Sequence, residues 1–136
     1  MPKPSANNPT SNNTDIGNTG EQLVCRALQQ RQWVIVAQQW RCRWGELDIV
    51  ARRGDRLAFV EVKTRSPRNW DSDGRLAIAP RKQQKLVRAA RAFLQKHPQY
   101  AELACQFDVA LVKRRSSQQY ELETYLPAAF DASAQS

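Results

Sequence analysis

The stretch Gly45-Glu46-Leu47-Asp48-Ile49-Val50, followed by Phe59-Val60-Glu61-Val62-Lys63, decides how this chain is read. Both runs are strand candidates, and Arg53-Gly54-Asp55 between them is a turn signal. Alternate residues of a strand share a face. Glu46 and Asp48 are therefore expected on one side with Leu47 and Ile49 opposite, and Glu61 and Lys63 on one side with Val60 and Val62 opposite. A two-residue turn at Gly54-Asp55 pairs Arg53 with Arg56. Counting back sets Asp48 across from Glu61 and Glu46 across from Lys63, a register that a bulge would shift by one. The count predicts three carboxylates and one lysine clustered on one face of otherwise apolar strands.

Two carboxylates facing each other across a ladder repel, and nothing structural is gained by that. A hard divalent cation between them reverses the sign. Mg²⁺ (or Mn²⁺) accepts one or two carboxylates and fills its remaining positions with water and phosphate oxygens, so Asp48 and Glu61 are the expected metal ligands, with the Val62 carbonyl as a further oxygen. Such an ion acidifies a bound water and stabilises charge developing on phosphorus, and Lys63 is placed to orient that water or to meet the transition state. The structural alternative is a surface strand pair bearing Glu–Lys salt bridges, which contribute little.

Outward from this hairpin, residues 1–18 are rich in Asn, Pro, Ser and Thr with almost nothing to bury, and read as a disordered tail. Thr19-Gly20-Glu21-Gln22 fits a capping box with Thr19 as N-cap. The helix that follows, ending near Arg31, sets Leu23, Val24, Ala27 and Leu28 on one side. Trp33 to Trp40 is a first strand, ahead of the strands Glu46 to Arg52 and Arg56 to Lys63. Arg65 to Pro80 reads as a long loop, and loops of that length in small domains are often functional. Pro80 suits the first turn of a second helix running from Arg81 to His97. Leu86, Ala89, Ala90, Phe93 and Leu94 share one side of it and Arg81, Lys85, Arg88, Arg91 and Lys96 the other. Phe107 to Lys113 and Tyr120 to Leu126 form a last pair around Arg114-Arg115-Ser116-Ser117. The predicted class is α/β, a mixed sheet flanked by helices in the order α-β-β-β-α-β-β, occupying residues 19–130 with a flexible C-terminal tail over 131–136.

A chain of 136 residues bounds the protein to one domain, large enough to bury roughly two-thirds of its unfolded surface. Lysine and arginine number 21 against 13 acidic residues, a net charge of +8, and the first twenty residues contribute only Lys3 and Asp15. The basic excess therefore falls on the folded part, where it favours polyanions through phosphate neutralisation and counterion release. Cys25, Cys42 and Cys105 are scattered without a CxxC spacing, which argues against a disulfide framework or structural zinc and for small apolar residues that are buried or half-buried. No run of about 18 apolar residues offers a membrane span, and the N-terminus lacks the apolar core of a signal peptide. The cytoplasm is the expected compartment.

Gly20-Glu21, the Gly45–Val50 run and Phe59-Val60-Glu61-Val62-Lys63-Thr64-Arg65 together resemble the YraN-like family, also called uncharacterised protein family UPF0102. Pro80-Arg81-Lys82-Gln83, Ala89-Ala90, Phe107-Asp108-Val109 and Ala129-Phe130 agree as well. The resemblance covers roughly Asn18 to Phe130. Gln106, where arginine is usual, and Trp40, where asparagine is common, depart from the pattern without touching the metal site. The resemblance implies a restriction-endonuclease-like fold akin to archaeal Holliday-junction resolvases, with Glu21, Asp48, Glu61 and Lys63 as the catalytic set. It implies nucleic acid as the partner, DNA ahead of RNA, and by analogy a homodimer.

Several residues keep two readings. Glu21 is a third metal-shell carboxylate or a complement to the helix dipole. Glu46 holds Lys63 or a metal-bound water, or makes a plain cross-strand ion pair. Thr64 and Arg65 touch phosphate or simply enter the loop. Arg81, Lys82, Lys85 and Arg88 track a nucleic-acid backbone or form a solvated helix face. His97 is read as a helix-end residue and Trp33 and Trp40 as core, while Trp44 and Trp70 border loops near the site and are candidates for base stacking. The functional readings that follow are a Mg²⁺-dependent endonuclease or resolvase-like phosphodiester hydrolase on structured DNA, a non-catalytic nucleic-acid-binding module, or a basic accessory protein binding RNA or a protein partner.

Overall fold

The computed structural model describes residues 15–65 and 78–132. Trp70, most of the expected loop from Arg65 to Pro80, and the greater part of both expected tails lie outside them. Helix α1 spans Asp15–Gln30, strands β1, β2 and β3 span Val34–Cys42, Gly45–Arg53 and Arg56–Arg65, helix α2 spans Pro80–Lys96, and β4 and β5 span Ala104–Ser116 and Gln119–Phe130. A short 3₁₀ turn, Pro98–Tyr100, follows α2. The element order is α-β-β-β-α-β-β, in one mixed five-stranded sheet of order β1-β2-β3-β4-β5. β3 and β4 run parallel and every other pair is antiparallel. A parallel neighbour needs a crossover connection, which α2 supplies.

Each face of the sheet buries one helix. On one face, Val24, Cys25 and Leu28 of α1 pack with Ile49, Ala51, Ala58, Val60, Ala110 and Val112. On the other, Leu86, Val87, Ala89, Ala90 and Phe93 of α2 pack with Leu47, Val50, Leu57, Phe59, Phe107 and Val109. Both apolar stripes recur at helical spacing, as the sequence indicates. Trp40 meets Phe93 edge-on, with centroids 5.3 Å apart, and Trp33 is buried. His97 is the C-cap of α2, its Nδ1 donating to the Phe93 carbonyl at 3.0 Å.

α1 begins at Asp15 rather than after Thr19, so Thr19 is inside the helix and not its N-cap. α1 packs closely on β3 at Gly20: a Cβ built there would stand 2.7 Å from Thr64 Oγ1. The last hairpin pairs on to Ser116 and Gln119, leaving Ser117 and Gln118 as the turn where a wider loop from Arg114 was expected. Cys25 is buried and Cys42 half-buried as expected, but Cys105, at the exposed start of β4, is exposed.

The β2–β3 register matches the count from the turn: Arg53 pairs with Arg56 and Ile49 with Val60. Strict alternation in β2 does not hold. Leu47 belongs to the α2 core and Ile49 to the α1 core, although the two were expected to share a face. The switch falls at Asp48, beside Gln39 of β1, whose φ of +50° lies in the left-handed region. An L-residue rarely enters that region, and Gln39 stands between the pairs Gln38–Ile49 and Trp40–Leu47, whose register is continuous, the β1–β2 shift lying between Ile35 and Ala37.

Candidate active site

Past Ile49 and Val60 the backbone ladder between β2 and β3 ends, and a side chain takes over. The Val62 amide donates to Asp48 Oδ2 at 2.9 Å. On β3, Leu57 and Phe59 face α2, and period-two alternation carries Glu61 onto that same side. Lys82 of α2 confirms this, its Nζ lying 3.1 Å from Glu61 Oε2. Asp48 and Glu61 line one small cavity, about 10 Å³, roughly the room one water needs. Glu21 projects from α1 toward the same end of the sheet, where Gln39 Nε2 donates to its Oε1 at 3.2 Å. The unusual backbone of Gln39 thus serves a residue of the acidic cluster, and strained conformations often gather at such sites.

The electrostatics are those of carboxylates short of cations. Burial and then the neighbouring Glu61 charge push the Asp48 carboxyl up to about 8, against the opposing pull of the Val62 amide. Burial also raises Glu21 to about 7, offset in part by Gln39 and augmented by the charges of Glu46 and Glu61. Perturbed carboxyls of this kind gather at functional sites.

Of the residues expected here, Asp48 and Glu61 meet at one cavity, and Glu21 stands near enough for its charge to act on Asp48. Glu46 is near enough to raise Glu21 and Asp48, but its ion pair is with Arg41 of β1 at 3.7 Å. It does not face Lys63, because β2–β3 pairing stops before Glu46 is reached. Among the described residues Lys63, half-buried on β3, makes no ion pair, and the cation that meets Glu61 is Lys82. Arg65, expected to reach phosphate, is only 8% exposed at the end of β3. Arg81, Lys85 and Arg88 are exposed on α2, and Lys82 and Lys85 line a cleft of about 260 Å³ together with Trp44, Glu46 and Asp48.

One buried carboxylate was not singled out from the sequence. Asp108 of β4 is 1% exposed. It accepts from Ala128 N at 2.8 Å, Gln106 Nε2 at 3.0 Å and Tyr125 Oη at 2.5 Å. These bonds hold a wide irregularity in β5, where the register jumps between Phe107–Phe130 and Val109–Leu126 and Ala128 adopts φ +49°. Asp108 also lines the cavity shared by Asp48 and Glu61. Only the Phe107-Asp108-Val109 tripeptide marked it in advance.

Whether these residues fit a divalent ion turns on the donor set. Among the described residues no three His, Cys, Asp or Glu side chains group closely enough to hold an ion together. Asp48 and Glu61 are nevertheless two hard oxygen donors, desolvated and mutually repelling, and one or two carboxylates are what Mg²⁺ takes from a protein that leaves it water and phosphate. The donor chemistry fits.

A mixed sheet with a helix on each face, and acidic side chains at the open end of its β2–β3 pair, define an α/β protein of restriction-endonuclease-like architecture. The chain belongs to uncharacterised protein family UPF0102, whose model matches residues 20–112. It is 56% identical over 124 residues to a UPF0102 protein of Acaryochloris marina, covering 83% of this chain and 72% of that one. It is 55% identical over 120 residues to one of Synechococcus sp., covering 86% and 92%, and 48% identical over 132 residues to one of Nostoc sp., covering 86% and 94%. Among the described residues no helix is long and apolar enough to cross a membrane.

Proposed function

We propose that this protein binds nucleic acid and hydrolyses phosphodiester bonds in structured DNA as a Mg²⁺- or Mn²⁺-dependent, resolvase-like endonuclease. The observation that carries this reading is the convergence of Asp48 and Glu61 in one desolvated place, with Asp48 pushed up to about 8 by burial and by that neighbour. Isolated from a cation, such a pair costs stability. Asp48 and Glu61 would hold the metal, which when bound supplies an acidified water and charge neutralisation at phosphorus. Glu21, turned toward the same end by Gln39, is suited to hold a proton or a water at the edge of the site. Lys82 supplies positive charge at Glu61 Oε2, where phosphate oxygens would also gather. Arg81, Lys85 and Arg88 extend that charge along α2 for the flanking backbone.

The test is a cleavage panel of fluorescent four-way junction, forked and linear DNA with Mn²⁺. The reading expects cleavage of branched substrate that is lost in both Asp48→Asn and Glu61→Gln. A non-catalytic nucleic-acid-binding module is the second reading, favoured by the Lys82 ammonium already lying on Glu61. It expects junction binding unaffected by Glu61→Gln and no cleavage by the wild type. Affinity indifferent to salt would count against both.

A further inference from the structure

The tip of the β1–β2 hairpin carries a feature that phosphodiester chemistry does not use. Arg43 and Trp44 are the two residues of its turn, closed by the pair Cys42–Gly45. Gly45 completes it at φ +144°, a value that suits glycine. The Trp44 indole is 37% exposed. The Arg43 guanidinium carbon lies 4.8 Å from its ring centroid and that of Arg88, from α2, lies 5.1 Å away. Trp44 also lines the 260 Å³ cleft that holds Asp48, Lys82 and Lys85. An exposed indole and two lysines therefore share one opening with Glu46 and Asp48, and two guanidinium groups flank the indole ring.

We propose that Trp44 is a stacking platform for an unpaired base of single-stranded or splayed DNA, next to the scissile position. This rests on the reading of the neighbouring site as a nucleic-acid site and names its substrate class. A ring plane accepts any base, because every base has a π-face. Arginine on an indole is held by cation–π attraction of modest strength at an exposed position, so a base replaces one guanidinium on the ring and the released arginine moves to the phosphate of the same nucleotide. The charge that covered the ring then neutralises the strand. A duplex, whose bases are stacked inside, offers Trp44 nothing comparable. The cleft thus discriminates between nucleic-acid structures without reading sequence.

The experiment is a fluorescence-anisotropy titration in EDTA, with fluorescein-labelled oligothymidylate, a forked duplex and a blunt duplex. Wild type is compared with Trp44→Ala, Trp44→Phe and Arg88→Ala, each checked by thermal unfolding. Trp44→Ala is expected to weaken oligothymidylate and fork binding by at least about fivefold, the low end of one lost base stack. Blunt-duplex affinity is expected to stay unchanged and Trp44→Phe to keep most of the wild-type affinity. Arg88→Ala is expected to flatten the salt dependence for oligothymidylate by about one phosphate contact. Equal weakening of single strand and duplex by Trp44→Ala, or a lower melting temperature with unchanged affinity, overturns the proposal and makes the indole a brace between hairpin and helix. With no metal present, the titration is independent of turnover: failed cleavage with Mn²⁺ leaves its outcome standing, and failed stacking leaves metal-dependent cleavage standing.

Discussion

Lys82 Nζ lies 3.1 Å from Glu61 Oε2, joining the first turn of α2 to the middle of β3 by an ion pair whose carboxylate is 10% exposed and whose ammonium is 51% exposed. An ion pair at the surface contributes little, whereas a buried carboxylate that loses its partner is left desolvated and unpaired. This pair stands between the two cases. Lys82→Met is expected to lower stability at neutral pH by about 1–3 kcal/mol, read as a urea midpoint shift at constant slope. No change would mean that Glu61 is compensated by other groups.

Asp48 makes the pH dependence of stability run opposite to the usual carboxylate case. Its folded value is pushed up to about 8 from an ordinary value near 3.8, so between those limits the folded state holds more protons than the unfolded chain. Stability then falls as pH rises. The contribution is fully present below about pH 4 and is gone above about pH 8, with Glu21 adding to it up to about 7. Asp48→Asn is expected to flatten this decline and to stabilise the metal-free protein at pH 8 by about 1–3 kcal/mol. Melting temperatures from pH 5 to 8.5 provide the measurement, and equal slopes in variant and wild type would refute the assignment.

Millimolar Mn²⁺ is expected to raise the melting temperature of the wild type at pH 8, since an ion that binds only the folded state stabilises it by mass action. The rise should vanish in Asp48→Asn and in Glu61→Gln. A rise that survives both substitutions places the ion elsewhere.

Asp108 accepts three hydrogen bonds in full burial. Asp108→Ala strands the Ala128 amide and the Tyr125 hydroxyl and is expected to cost about 2–4 kcal/mol. Tyr125→Phe removes a donor without orphaning one and is expected to cost about 1–2 kcal/mol. Denaturant unfolding of both variants measures the difference, and an equal cost would show that the hydroxyl alone carries the network.

Gly20→Ala opposes two effects. Alanine gains about 1 kcal/mol of helix propensity, but its Cβ would stand 2.7 Å from Thr64 Oγ1, and overpacking costs about 1–3 kcal/mol. Thr64 is β-branched and has little freedom to turn aside, so a net loss is expected. Gly20→Ala combined with Thr64→Ala should recover it. A stabilised single variant would show that α1 shifts to accommodate the methyl group.

The fold was legible where local chemistry decided it. Gly54-Asp55 set the β2–β3 register, and the apolar stripes of α1 and α2 named their buried faces. The meeting of Asp48 and Glu61 followed from that register. What escaped depends on pairs distant in sequence. No local pattern announces that Gln39 turns left-handed beside Asp48, or that Lys82 rather than Lys85 reaches Glu61. Glu46 was paired with Lys63 by extending a ladder that ends early, because the Asp48 side chain occupies the Val62 amide. Asp108 needed the irregular end of β5, formed from residues some 20 positions away.

Strand order across the sheet repeats strand order along the chain, and this bears on the route by which the molecule is made. The β2–β3 hairpin closes over two residues, one of the shortest loops available to any pairing here, whereas the β3–β4 pairing must wait for a crossover. Short closures cost less chain entropy than long ones. The hairpin therefore brings its like charges together before α2 can deliver the lysine that relieves them. Repulsion at this corner is therefore expected to weigh on the barrier to refolding as well as on the finished protein, and acidification to speed refolding.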